Sequence, residues 1–267
     1  MSAAVGLVAW RLPVRPQDSP SLAARVGAHR LQVDYGGNGR EYELTSSVLR
    51  QLKSHADSEH VAITGVAVNA LNDLGITSTN HKTQMTIDTL TRRAIDAAVA
   101  LGAPAVLIPA FRRSMMRTSA DIAVTATFLV RLAQLATTAG LVIVHENVLE
   151  PGSLISLREA VQAAEVRFMF DIGNLHEYRI DWRAHLEEAT PILHSEAHIK
   201  DHRSGSAGDI ALGCGRVPLG HVVEALLRTQ TVDCLIVETD HRDHDEEQIR
   251  ADLAALTHLI NHNRSTE

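Results

Sequence analysis

LVIVHEN, residues 141–147, is a β-branched apolar run that ends in a histidine and a glutamate. Three runs of the same make follow it: RFMFDIGN at 167–174, EAHIKD at 196–201 and CLIVETD at 234–240. Such runs read as strands buried on both faces of a parallel sheet, and helical pattern separates each from the next. Each carries a metal-ligand residue type at its C-terminal end, namely Glu146, Asp171, His198 and Glu238. In a barrel of parallel strands these four ends converge on one mouth.

Working outward, earlier apolar runs at Val5–Trp10, Leu31–Tyr35, Val61–Asn69 and Ala105–Ala110 raise the strand candidates to eight. Amphipathic stretches follow most of them, at Ser46–His55, Ile87–Leu101, Ile122–Thr138, Leu154–Ala164, Trp182–Leu193, Val222–Arg228 and Glu246–Asn261. Gly140 is placed to end the third of these as a left-handed cap. The first crossover, Ser21–Val26, is short and poorly periodic. Eight strand–helix alternations in 267 residues predict one α/β domain over residues 1–267, a single (β/α)8 barrel. A doubly wound open sheet is the alternative.

Apolar residues make up 45% of the chain and aromatics 3%, so the core is expected to be aliphatic and alanine-rich. The N-terminus has no basic region before its short apolar stretch, and eighteen apolar residues never run together. These features predict no signal peptide, no membrane span and a cytoplasmic protein. Cys214 and Cys234 lack metal spacing and read as small core or loop residues. With a net charge of −7 and dispersed basic residues, no stripe for a nucleic-acid backbone is visible. Arg112, Arg113 and Arg117 form a small basic loop that is either solvated surface or a contact for an anionic substrate group.

Three carboxylates and one imidazole suit a hard or borderline divalent cation, Mn²⁺ first, with Mg²⁺, Co²⁺ or Zn²⁺ also possible. Four protein ligands leave positions through which adjacent oxygens of a substrate can chelate, which acidifies a carbon next to a carbonyl. Here the chain resembles the xylose isomerase-like family of TIM barrels, which includes sugar isomerases, ketose 3-epimerases, inosose dehydratases and type IV endonucleases. The resemblance is carried by VHEN, FDIGN, AHIKD and IVETD, with LGCGRVPLG in support. It implies that Glu146, Asp171, His198 and Glu238 bind one metal, and that Glu146 and Glu238 exchange substrate protons.

Departures from the family pattern are informative. Asn174 stands where members commonly carry histidine, and it can hydrogen-bond a hydroxyl but cannot ionise. Asp34, Asn69 and Asp209-Ile210-Ala211 replace the extra ligands of the endonuclease branch, so a trinuclear zinc site is not implied.

Several mouth residues have two readings. Lys200 shares a strand face with His198 and either stabilises enediolate charge or pairs with Asp171 or Glu238. His202 and Arg203 resemble a substrate-contacting segment, or are solvent-exposed. Trp10, Asn69, Asn147 and Asp240 sit at strand ends, and Trp10 is suited to wall a sugar face. His145 alternates with Glu146 and should point into the helix layer, while His176, His241 and His244 read as loop or supporting residues. Gly213 and Gly215 suit a phosphate-cradling loop or an ordinary turn. Arg167 and Glu196 share inward faces and are expected to pair beneath the metal, since neither charge would be buried alone. The loops Thr77–Thr86 and Phe111–Ala120 are long enough for lids or interface arms.

The expected activity is metal-dependent isomerisation or epimerisation of a sugar, cyclitol or related polyhydroxylated carbonyl compound through an enediolate. Dehydration by the same first step is the alternative, followed by a non-catalytic ligand-binding barrel. The resemblance also implies a homo-oligomer.

Overall fold

Eight short parallel strands pair edge to edge until the last meets the first, so the sheet has no free edge to cover. The computed structural model describes residues 3–37, 44–203 and 206–264. In chain order the elements are β1 Ala4–Val8, α1 Ser19–Val26, β2 Arg30–Asp34, α2 Ser46–Ser58, β3 Ala62–Ala67, α3 Leu71–Leu74, α4 His81–Leu101, β4 Ala105–Pro109 and α5 Ser119–Thr138. Then come β5 Val142–Glu146, α6 Pro151–Val161, β6 Val166–Asp171, α7 Ile172–Glu177, α8 Trp182–Ala189, β7 Leu193–Ile199, β8 Asp201–Arg203, β9 Ser206–Ile210, α9 Leu219–Arg228, β10 Cys234–Val237 and α10 Glu246–Arg264. The closed order is β1-β10-β7-β6-β5-β4-β3-β2, and β8 with β9 forms a separate antiparallel ribbon. This is the expected (β/α)8 barrel, with the open sheet excluded.

Alternation along each strand divides the core in two. Outward residues such as Leu31, Ile143, Phe168 and Phe170 are fully buried against the helix ring. Each such side chain contributes about 1.5–3 kcal/mol by leaving water. Inward residues are smaller and fewer: Val8, Ala67, Leu107, Val144, Met169 and Ile236, with Trp10 resting on them. His145 points outward as expected, its Nδ1 2.8 Å from the carbonyl of Ile108 and its ring edge-on to Phe168.

Local chemistry sets the helix ends. Thr118 and Asp121 form a reciprocal capping box at the start of α5, and Asn80 caps α4 through the Thr83 N–H. Gly140 takes φ +73° just past α5, where Leu141 N–H bonds back to Ala136. By length and apolar composition α5 is long enough to cross a membrane. Here it packs in the outer ring, burying Phe128, Leu129, Leu132 and Ala133. Two expectations shift: Ser19–Val26 is a regular helix ended by Gly27 in the left-handed region, and α4 begins six residues before Ile87. The second shift takes up most of the Thr77–Thr86 loop.

The expected Arg167–Glu196 pair does not form. Glu196 is inside the barrel at 3% exposure, but it accepts from Gln32 at 2.8 Å and Thr64 at 3.0 Å, with Arg30 at 3.7 Å. Arg167 is 42% exposed, and Glu165, at 3.9 Å, is the carboxylate beside it. The cause is register: Phe170 pairs with Ala197 and Asp171 with His198, which sets Glu196 level with Met169 rather than with Arg167. Arg167, near the start of β6, is thereby one inward step below Glu196, at the barrel's lower rim.

Candidate metal centre and substrate cavity

Glu146, Asp171 and His198 arrive at the mouth on β5, β6 and β7, and Glu238 directly follows β10; all four are buried. His198 Nδ1 lies 3.7 Å from Glu146 Oε1, 3.8 Å from Asp171 Oδ2 and 3.6 Å from Glu238 Oε2. It is also a buried nitrogen without a hydrogen-bond partner among the described residues. The other ring nitrogen, Nε2, lies 2.8 Å from Gln32 Oε1, and because that oxygen only accepts, Nε2 carries the proton. Nδ1 therefore faces three carboxylates, and on giving up its proton it would aim a lone pair at a cation placed among them. Donors held at about 2.0–2.2 Å from one ion stand roughly 3–4 Å apart, a spacing at which His198 and the carboxylates beside it could hold a divalent cation. Glu146, Asp171 and His198 form a compact triad with ligand atoms within 4.8 Å of one another.

Lys200 supplies the cage with its own counter-charge. Its Nζ is 2.7 Å from Asp171 Oδ2 and 2.6 Å from Glu238 Oε2, so the ion-pair reading holds with both acids. The lysine also lines the cavity, where its third N–H remains for a ligand oxygen. Its stem passes over Gly173: a Cβ there would stand 2.1 Å from Lys200 Cγ.

Electrostatics separate the two glutamates. Burial, with Asp171 and Glu238 adding negative charge, pushes Glu146 up to about 7 despite the opposing pull of His198. Burial would raise Glu238 as well, but Lys200 outweighs it and holds that carboxyl below its ordinary range. Asp171 is held down in the same way. Burial works against the charged imidazole, yet the surrounding carboxylates raise His198 to about 10.

Asn174 is more occupied than its place in the sequence suggests. Its backbone N–H caps α7 on Asp171 Oδ1 at 3.0 Å, and its side-chain amide donates to Asp171 Oδ2 at 2.8 Å and Glu146 Oε1 at 2.9 Å. Only its carbonyl oxygen is left to meet a hydroxyl. Trp10 both walls the cavity and donates to Glu238 Oε1 at 3.0 Å, with its ring edge-on to His198. Asn69 lines the cavity while donating to Asp34 at 2.9 Å.

His202 and Arg203 are not among the residues that line the cavity. His202 turns to His176, with ring nitrogens 2.7 Å apart, and Arg203 is exposed on the β8–β9 ribbon. Asn147 closes a turn on Leu149 N–H, and His241 bonds Asp252 at 3.1 Å. The Gly213–Gly215 turn does cradle an anion, but it is the chain's own: Asp201 accepts from the N–H groups of His202, Gly213, Gly215 and Val217. A Cβ on Gly215 would meet Asp201 Oδ1 at 2.0 Å.

The cavity above the cage measures about 540 Å³ and is further lined by Arg11, Asn72, Phe111, Arg112, Glu177, Tyr178, Asp209 and Arg242. Sequence reading missed Arg11, Arg242 and Gln32. A polar Gln32 inside LQVDY was the one available signal; the arginines gave none beyond neighbouring a strand end.

The chain belongs to the xylose isomerase-like TIM barrel family, whose pattern it matches over residues 20–259. It is 34% identical over 257 residues to a 2-epi-5-epi-valiolone 7-phosphate 2-epimerase of Actinoplanes sp., covering 95% of this chain and 93% of that one. Among solved structures, an L-ribulose 3-epimerase superposes with TM-score 0.80 at 14% identity, covering 100% of this chain and 97% of that one. The IOLI protein with a bound zinc atom also gives 0.80 at 14% identity, covering 98% and 99%.

Proposed function

We propose that this chain is a divalent-metal-dependent epimerase that inverts a carbon next to the carbonyl of a polyhydroxylated compound. The first substrate class to consider is a cyclitol ketone phosphate, as in the name of the Actinoplanes relative. The observation that carries the reading is the convergence of Glu146, Asp171 and Glu238 on the unpartnered Nδ1 of His198, beneath a polar cavity. An ion held by these four residues would supply Lewis-acid polarisation of the carbonyl and its neighbouring hydroxyl.

The chain's own groups account for the rest. Glu146 and Glu238 stand on β5 and just past β10, with β6 and β7 between them, so they approach a bound ring from two sides. One carboxylate takes the proton from the carbon beside the carbonyl, and the other carboxyl returns a proton to the opposite face. The third N–H of Lys200 and the Asn174 carbonyl orient substrate oxygens, and Trp10 excludes water from the Glu238 side. Free cysteines, Cys214 exposed and Cys234 buried, agree with a reducing cytoplasm as the working compartment.

Dehydration begins with the same proton removal, and the relative's name favours epimerisation over it. The test is incubation of the Mn²⁺-supplemented protein with a cyclitol ketone phosphate in deuterated water, followed by NMR. Deuterium entering beside the carbonyl with a second epimer supports the proposal. Loss of water with a conjugated-ketone absorbance transfers the chain to the dehydratases, and no exchange on a broad ketose and cyclitol panel removes both.

A further inference from the structure

Two guanidinium groups share one carboxylate at the cavity rim. Arg11 Nη1 lies 3.0 Å from Asp240 Oδ2, while Arg242 Nε lies 2.8 Å from Asp240 Oδ1 and its Nη2 also meets Oδ2. Burial would raise the Asp240 carboxyl, but Arg242 and Arg11 hold it down at about 2. The carboxylate stays ionised at neutral pH, and the trio carries a formal charge of +1, with Glu238 acting on Arg11 and Asp243 on Arg242 from farther off. Both arginines line the same cavity as Glu146, His198 and Glu238.

A second observation is independent of this charge count. Arg11 Nε is buried and has no hydrogen-bond partner among the described residues. That nitrogen is closed to solvent, whereas the Arg11 side chain as a whole is 24% exposed and lines the cavity, so its terminal N–H groups are the ones within a ligand's reach. The backbone fixes the arrangement as well: His241 N–H bonds the Arg11 carbonyl at 2.8 Å, and Asp240 N–H bonds the Gly208 carbonyl at 2.6 Å. The loops after β1 and β10, neighbours in the barrel, thereby hold the two side chains in one register.

The other rim differs. Arg112 is matched by Asp73. Glu177 and Asp209 also line the cavity and make no ion pair with Arg11 or Arg242 among the described residues, so both guanidinium groups are held by Asp240 alone. A guanidinium fork suits tetrahedral oxyanions because its parallel N–H groups meet two oxygens at once.

We propose that Arg11 and Arg242, held on the shared carboxylate of Asp240, form the subsite for a phosphate monoester carried by the substrate. The inference rests on the cavity being the substrate site, and it adds which residues select the phosphorylated form.

The test is calorimetric titration of inorganic phosphate into the wild type, Arg11→Met, Arg242→Gln and the double variant. It is paired with kcat/KM for a cyclitol ketone with and without its phosphate. Each single change is expected to weaken phosphate binding by ~10-fold and the double by ~100-fold, with the phosphorylated-to-unphosphorylated kcat/KM ratio falling in step. Phosphate affinity unchanged in the double variant, a wild type that binds no phosphate at millimolar concentration, or an unmoved ratio would overturn it. If Arg11→Met fails to fold, Arg242→Gln, at a side chain 43% exposed, carries the test alone. A wild type that turns over neither ketone sinks the epimerase reading, while the phosphate titration still decides the subsite.

Discussion

The Nε2 of His198 lies 2.8 Å from Oε1 of Gln32, and this one contact decides which nitrogen faces the carboxylates. The amide of Gln32 is in turn held by Glu196 at 2.8 Å, so the ring orientation is set from inside the barrel. Partners of this kind alter metal affinity by roughly 10–100-fold when removed. Gln32→Leu should weaken Mn²⁺ or Zn²⁺ binding by about that factor in a calorimetric titration. Unchanged affinity would show that packing alone orients the imidazole.

Metal loading should raise stability, because three buried carboxylates facing one another gain more from the ion than the unfolded chain does. At a free-ion concentration about 100 times Kd the gain is about 2.7 kcal/mol. Thermal melts with and without Mn²⁺ should show an increased Tm that a chelator reverses. The paired change Glu238→Gln, His198→Ala should abolish both the shift and the metal content by mass spectrometry. Retention of about one ion per chain in that variant would locate the metal elsewhere.

Glu146→Gln and Glu238→Gln each remove a proposed proton carrier, and kcat should fall by about 10²–10⁴-fold. Metal content should be measured on the same samples, since both residues are also proposed ligands. A variant that keeps its metal and loses exchange on only one face of the substrate would assign that face.

Gly173→Ala should disturb the site without touching a ligand. The added methyl would overlap the Lys200 stem, so the ammonium must leave Asp171 or Glu238, at a cost of about 1–3 kcal/mol from overpacking. Gly152→Ala in α6 is the matched control, with nothing within 4 Å of the added carbon. It should be neutral or slightly stabilising in urea melts. Equal effects from the two changes would contradict the steric account.

Acid should weaken the fold through His145 and His185. Burial, only partly offset by a backbone hydrogen bond, pushes each down to about 4. The unfolded chain takes up a proton near pH 6.5 that the folded state refuses. Their contribution is therefore intact above pH 6.5 and lost progressively as pH falls toward 4. For each histidine the loss between pH 7 and pH 5 is about 2 kcal/mol. Urea melts of wild type and His145→Gln at the two pH values should differ in pH sensitivity by about that amount. Identical pH slopes would refute the assignment.

The barrel was legible because both-face-buried strands carry a simple apolar signal, and the four cage residues because each ends such a strand. Side-chain alternation also placed His145 in the outer layer and Lys200 beside the acids. What failed depended on register between strands: Glu196 is level with Met169 and not with Arg167, and local pattern has no access to that offset. The Arg11–Asp240–Arg242 cluster was illegible for a related reason, since 229 positions separate Arg11 from its acid. Asn174 was seen, but not that both its amide hydrogens serve Asp171 and Glu146.

Glu196 and His198 occupy alternate positions of β7 and Lys200, directly after it, continues the alternation, so the support beneath the imidazole, the imidazole and the ammonium that balances the acids share one row. A slip of a single residue would turn all three toward the helices and bring Ala197 and Ile199 inward. Damage to this strand is therefore digital: a chain with β7 mispaired has no weakened centre to rescue with excess metal. If the proposed cage holds an ion, any molecule that carries it has passed an inspection of its own sheet, and metal content would serve as a count of correctly folded barrels.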